Sequence, residues 1–487
     1  MLFKIPLVLR RIPPLRLRRT MHGYVHRTIK VHLEVRVSRT LSVVCFMFTV
    51  LGFVIFIASY ANTGISAVEY FGSLLSNPEF SSVADLNCSR ILAGDDPVYL
   101  RRAARNRIRY KDELDLPMDC DTVRQRNRFV EQPASLEEEN FPIAISRVVH
   151  KDYRLLEMGL AANYAPQNWY CFAMDSKADI VFKERVLALS TCFPNVIVNQ
   201  VHYRLDSNGH NMSASFVECL KNLAERSKKW EYVILVQNND ISVRTNEELV
   251  QIFKWFNGTN DVMIVPVPDD ERINYNLDWT FEGLELFRNN TRNKIAPSGQ
   301  TPQLKFAKGY AHSCFSRPAA DFIVNELDVS KVLSQMEQPS YGVDEVFWPS
   351  LMSTEALGVP GGFTHECLDR GFPVPHVTVY AIWIDKAKCR SGNWRHSVCV
   401  LGIEDLPYDF KNSNYLFVNK LMPGFDFGAI KCWFDELHYR TTVDRGLHRL
   451  DSTIYKQLPQ VRYNAEKRRT GRVDMNRFDC TSILNNY

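Results

Sequence analysis

A chain of 487 residues with 45% hydrophobic and 12% aromatic side chains has ample apolar surface for a large core, which excludes an intrinsically disordered chain. The formal net charge of +4 is the sum of unlike parts: residues 1–39 set Lys4, Arg10, Arg11, Arg16, Arg18, Arg19, Arg27, Lys30, Arg36 and Arg39 against Glu34, about +9, which leaves about −5 for the remainder. So mild a total gives no case for a nucleic acid partner.

Residues 1–39 read as a cytoplasmic basic tail and residues 40–61 as a membrane anchor. From Leu41 to Ala61 the chain carries no charge, and at about 1.5 Å rise per residue such a run spans a hydrocarbon layer of about 30 Å. The basic flank before it, against a first charge of Glu69 after it, predicts a single-pass type II orientation with everything beyond Ala61 in the secretory lumen. Eleven dispersed cysteines follow the run without any CxxC pair, a pattern that favours disulfides over zinc. Sequons at Asn87, Asn211, Asn257 and Asn289 are candidate glycosylation sites that are usable only in that lumen.

Residues 62–140 are polar and read as a luminal stem with short helices. From residue 141 apolar strands alternate with helices: a strand over 142–149, a helix over 153–164, strands over 168–174 and 196–198, a helix over 213–229 and a strand over 232–236. This alternation predicts an α/β domain over 141–440 with a mostly parallel sheet. Ligands then bind beyond the carboxyl ends of the strands, which draws attention to Asp175 and Asp240. Residues 441–487, with Lys467-Arg-Arg469, read as a loosely attached basic extension.

These blocks resemble the core-2/I-branching glycosyltransferases, the family that includes the β-1,6-N-acetylglucosaminyltransferases of mucin-type glycans and, more distantly, the peptide O-xylosyltransferases. The resemblance is carried, in the family's order, by Asn87-Cys-Ser-Arg-Ile-Leu-Ala-Gly-Asp95, Ala165-Pro-Gln-Asn-Trp-Tyr-Cys171, Met174-Asp-Ser-Lys177, Cys192-Phe-Pro-Asn-Val196, Asp344-Glu345, Ser397-Val-Cys399 and Leu416-Phe-Val-Asn-Lys420. It implies a GT-A-like, Rossmann-like nucleotide-sugar fold, a Golgi membrane address, and inverting transfer from a UDP-sugar to a glycan or glycoprotein acceptor. N-acetylglucosamine in β-1,6 linkage is the expected sugar. UDP-xylose is the alternative donor, and a catalytically impaired glycan-binding protein the alternative function.

The resemblance implies Glu345, in Tyr341-Gly-Val-Asp-Glu-Val-Phe-Trp348, as the base that takes the acceptor proton. It implies no cofactor and no metal, with Lys420 and Arg395 or His396 acting on the diphosphate. Asp119-Cys-Asp121 spells a metal motif, but it lies in the stem before the first sheet strand and is discounted. Val148 and Asp175 match nucleoside positions, and Trp383 an acceptor-side ring that stacks on a sugar. The implied disulfides are Cys88 with Cys432, Cys120 with Cys192, Cys171 with Cys219, and Cys389 with Cys399, leaving Cys314, Cys367 and Cys480 unassigned. Departures from the family cluster near the substrate: Ser207 and His210 replace a tyrosine and a tryptophan, and residues 266–302 have no counterpart.

Overall fold

The computed structural model describes residues 82–268, 272–294, 301–384, 388–446 and 448–484. The basic tail and the apolar run over 41–61 lie outside the described residues, among which no helix is long and apolar enough to cross a membrane.

Helices α1 (Cys88–Ala93), α2 (Pro97–Arg105) and α3 (Cys120–Arg126) precede the sheet. The sheet then begins: β1 (Ile143–Val149), α4 (Tyr153–Asn163), β2 (Trp169–Met174), α5 (Ile180–Cys192), β3 (Val196–Val198), α6 (Met212–Arg226) and β4 (Tyr232–Val236). All seven residues of β1 are buried, as a strand covered on both faces requires. Even-numbered Ala144 and Val148 pack with Phe216, Leu220 and Trp348 on one side, and odd-numbered Ile143, Ile145 and Val149 with Phe253 and Leu189 on the other.

After β5 (Ile241–Ser242) and α7 (Asn246–Phe256), strand β6 (Ser313–Ser316) closes the sheet in the order β3-β2-β1-β4-β6. Only β6 is antiparallel. The strand order reverses direction at β1, so the crevice between the ends of β1 and β4 is the topological switch point where such sheets bind ligands. The α/β domain is thus a mixed sheet with helices on both faces.

Helices α8 (Arg317–Asn325) and α9 (Phe347–Ser353) lead to a second, small sheet. It comprises β7 (Val379–Ala381) and β10 (Phe417–Asn419), which run parallel, with β5 antiparallel at the other edge of β10. Between them β8 (Trp394–Arg395) and β9 (Val398–Cys399) form a hairpin. Helix α10 (Pro423–Thr442), interrupted at Asp426, then α11 (Ser452–Lys456) and α12 (Pro459–Thr470), complete the body.

The two flanks stand differently against the reading above: the stem carries short helices and is tied to the domain through Cys88 and Cys120, while the C-terminal segment departs from it. From Ser82 onward the polar stem is part of the body: Ile91, Leu92, Leu100 and Ala103 pack with Trp433, Phe410 and Leu437. Asp112 performs the capping that Asp152 does not, accepting the N–H groups of Tyr153 and Arg154 at the start of α4. The C-terminal segment is not loosely attached. Tyr455, Leu458 and Val461 join the sheet's core, Tyr463 packs on Phe363, and Cys480 is bonded to Cys367. Its basic residues sit on the exposed outer turn of α12, so their charge hid an apolar inner face.

The remaining disulfides are Cys88–Cys432, Cys120–Cys192, Cys171–Cys219 and Cys389–Cys399. Cys314 is a buried thiol on β6, 3.2 Å from the Thr378 hydroxyl.

Candidate active site

Glu345 closes a short 3-10 turn, Val343–Glu345, that opens from Gly342 in the left-handed region and runs into α9. Phe347, Trp348 and Leu351 anchor that helix in the core, so the carboxylate stands on a rigid base. It is paired with two cations: Arg272, and Lys308 at 3.2 Å from the same oxygen. Arg272 lies over the Tyr341 ring at 4.7 Å. Next door, burial and the Glu345 charge push the half-buried Asp344 carboxyl up to about 7. Near neutral pH, Asp344 therefore takes up a proton and relieves Glu345 of a second negative neighbour.

A chain of contacts runs from Glu345 to the switch point through residues 308–312. Gly309 donates its N–H to the Glu345 carbonyl at 2.8 Å, and only glycine fits there, because a Cβ would meet the Met263 carbonyl oxygen at 2.2 Å. Lys308 pairs with Glu345, the Tyr310 hydroxyl accepts from the Trp383 indole N–H, and His312 Nε2 lies 2.9 Å from Asp240. Tyr310 also stands edge-on to His376, whose ring burial holds at about 3.

Asp240, just beyond β4, is fully enclosed. Asn419 donates to its Oδ1 at 2.6 Å, while His312 and the Gln237 N–H meet its Oδ2. Burial works against its charge, but His312, Arg147 and Asn419 outweigh it and hold the carboxyl below the usual range. The Arg147 guanidinium donates to the main-chain oxygens of Gln237 and Asp240 at 3.0 and 2.9 Å, locking this loop to β1.

Lys420 and Trp383 follow the ends of the neighbouring parallel strands β10 and β7. The Lys420 ammonium donates to the Arg395 carbonyl at 3.1 Å; burial and the Arg395 charge bring it down to about 8, with Asp240 acting in the opposite sense. Arg395 belongs to the β8–β9 hairpin, whose two-residue turn is His396-Ser397. Both turn residues have positive φ, 48° and 60°, as a type I′ turn demands, and Cys389–Cys399 staples the hairpin's base. Burial, with Lys420 and Arg395, lowers the His396 ring below the ordinary histidine value. Arg395 and Lys420 therefore form a pair of cations beside the switch point, with the His396 ring next to them.

Asp175 is buried at the end of β2, its Oδ1 accepting the N–H of Lys177 at 2.9 Å and of Leu205 at 3.3 Å. His150 stands exposed at the mouth of β1. Val148 is different, because its side chain lies inside the sheet's packing. Asp119 is a helix cap, accepting the Thr122 N–H at 2.9 Å, and Cys120 is in a disulfide. Of the sequons, Asn87, Asn257 and Asn289 are exposed, while Asn211 is half-buried with its amide donating to the Arg204 carbonyl.

Sequence reasoning missed Arg272, Lys308, Tyr310 and His312. The one local signal was Lys308-Gly-Tyr-Ala-His312, in which hydrogen-bonding side chains alternate with small residues.

The Core-2/I-Branching enzyme family model matches residues 143–408, which span Glu345, Arg395 and His396 and stop short of Lys420. Among similar proteins, the human beta-1,3-galactosyl-O-glycosyl-glycoprotein beta-1,6-N-acetylglucosaminyltransferase 3 is 29% identical over 398 residues, covering 77% of this chain and 88% of its own. The rat protein of the same name is 28% identical over 385 residues, with 74% and 85% covered. The human beta-1,3-galactosyl-O-glycosyl-glycoprotein beta-1,6-N-acetylglucosaminyltransferase is 26% identical over 392 residues, with 74% and 90% covered.

Proposed function

Because the chain belongs to the Core-2/I-branching enzyme family, we propose that it is a glycosyltransferase that moves N-acetylglucosamine from its UDP conjugate to a glycan acceptor, in β-1,6 linkage and with inversion. The observation that carries this reading is the continuous site itself. A partly exposed carboxylate, Glu345, stands at one end, the cations Lys420 and Arg395 at the other, and the rings of Tyr310 and Trp383 between them.

In this mechanism the acceptor hydroxyl displaces one of the two cations from Glu345 and gives its proton to that carboxylate as its oxygen bonds to C1 of the sugar. The C1–O bond to UDP breaks on the opposite face. Lys420 and Arg395 meet the charge that collects on the diphosphate, with His396 adding to it only when protonated. Asp175 accepts hydrogen bonds from the nucleoside, Val148 offers main-chain rather than side-chain contact, and Trp383 stacks on the acceptor sugar. With the Lys420 and Arg395 charges at the leaving group, the proposed mechanism uses no metal. The proposed setting is the Golgi lumen, with the apolar run over 41–61 as a type II anchor.

The test is UDP release by the purified protein over a panel of UDP-sugars and glycan acceptors, with and without EDTA. Release from UDP-N-acetylglucosamine that survives EDTA is expected, and activity restored only by Mn²⁺ would reject the metal-free mechanism. Release from UDP-xylose alone would change the donor. Silence across the panel with acceptor binding retained would turn the reading to a glycan-binding protein.

A further inference from the structure

The loop before α6, Asp206-Ser-Asn-Gly-His-Asn211, is laced to the loop that carries Glu345. Gly342 donates its N–H to the Asn208 carbonyl at 2.8 Å, and the Asn211 N–H lies 2.9 Å from both carboxylate oxygens of Glu337. Gly209, at φ +95°, lies flush against Asp344, where a Cβ would sit 1.9 Å from the carboxylate. Between these contacts stands His210. Its Nδ1 is 2.8 Å from Asp206 Oδ2 and its Nε2 is 3.0 Å from the Pro339 carbonyl oxygen.

A carboxylate and a carbonyl can only accept, so both ring nitrogens must carry hydrogen for both bonds to form. That is the imidazolium, because a neutral ring satisfies one partner and turns a lone pair on the other. We propose that His210 is a pH-operated positioning residue, whose imidazolium latches residues 206–211 onto residues 337–345 and so sets where Glu345 stands. The proposal rests on the reading of Glu345 as the base. The charged groups facing the ring are Asp206 on its own loop and Glu337 across the junction.

The sign follows from the ring's surroundings. Burial works against its charge, but the Pro339 carbonyl and Asp206 outweigh it, so the latched ring titrates above the ordinary histidine value of 6.5. The latch is complete below that value and weakens as pH rises through the raised one, by up to about tenfold for each step of one in pH, since the neutral ring keeps one of its two bonds.

Amide hydrogen exchange of the full chain at several pH values, corrected for intrinsic rates, tests this. In the unaltered protein, peptides spanning 206–211 and 337–345 are expected to lose protection together as pH rises, while those of β1 and β4 do not. In His210→Ala both loops are expected to be less protected at low pH and to show no pH dependence, with β1 and β4 unchanged as the check on folding. Protection of the two loops that ignores pH in the unaltered protein would overturn the latch, as would His210→Ala loops that close like the original. Neither outcome depends on turnover, so a failure of Glu345 as the base is read separately, from the activity of Glu345→Gln.

Discussion

Asp240 and Glu345 are both carboxylates at the crevice, yet their surroundings are opposite in kind. The Asp240 side chain is 0% exposed and holds neutral donors and a histidine from three different segments. Glu345 is 16% exposed and held by the ends of two long cationic side chains. A carboxylate whose partners are fixed and enclosed organises loops, because giving up any partner leaves a buried charge uncompensated. One whose partners are flexible and near solvent can exchange them for a substrate hydroxyl. Under the proposed mechanism the chemistry falls to Glu345 and the architecture to Asp240.

The sharpest way to break that assignment is a pair of isosteric changes. Glu345→Gln keeps the shape and removes proton acceptance, so turnover is expected to fall by roughly 10²–10⁴ while UDP affinity changes little. Steady-state kinetics beside UDP calorimetry would separate the two, and near-normal turnover would return Asp240 to candidacy. Asp240→Asn is expected to act on folding instead. It strips the charge from a buried cluster and costs about 3–5 kcal/mol in denaturant unfolding. An Asp240→Asn protein of full stability but no turnover would reverse the two roles.

Lys420 extends the comparison to the diphosphate. Lys420→Ala is expected to weaken UDP binding roughly tenfold to hundredfold and to lower turnover with it, since the charge acts in both ground and transition states. The smallest effect expected is on pH. With the free ammonium brought down to about 8, its charge is present below that value and lost above it, so UDP affinity should hold to about pH 8 and then decline. Calorimetry at pH 7 and 9 checks this, and the decline should vanish in Lys420→Ala.

The scaffold was legible where a physical period marks it. β1, β2 and β4 are apolar runs bounded by helices, and the structure places all three within a residue of the sequence reading. The alternation also pointed to the strand ends, and Asp175 and Asp240 do lie there. What could not be read is the company each residue keeps. Lys308 and Arg272 meet Glu345 from loops, where no periodicity marks a partner 37 or 73 positions away. Val148 stands out by its match to a family position, and its side chain packs in the core beside Ala144 and Phe216. The C-terminal segment misled for a related reason. Its apolar Tyr455, Leu458 and Tyr463 are spaced irregularly, while its basic residues are consecutive and conspicuous.

The Cys88–Cys432 bond joins sulfurs 344 residues apart. A ribosome adding about 5–20 residues each second needs roughly 17–70 s to make that interval. For all of it Cys88 has no final partner, while Cys120, Cys171 and Cys192 emerge as thiols that it can join wrongly. Cys171 and Cys219, 48 residues apart, can close within seconds and withdraw Cys171 from that competition. The order in which the cysteines emerge therefore gives the early sheet time to finish before the N-terminal segment is fastened over it, and an exchange catalyst is needed most for the bond that forms last.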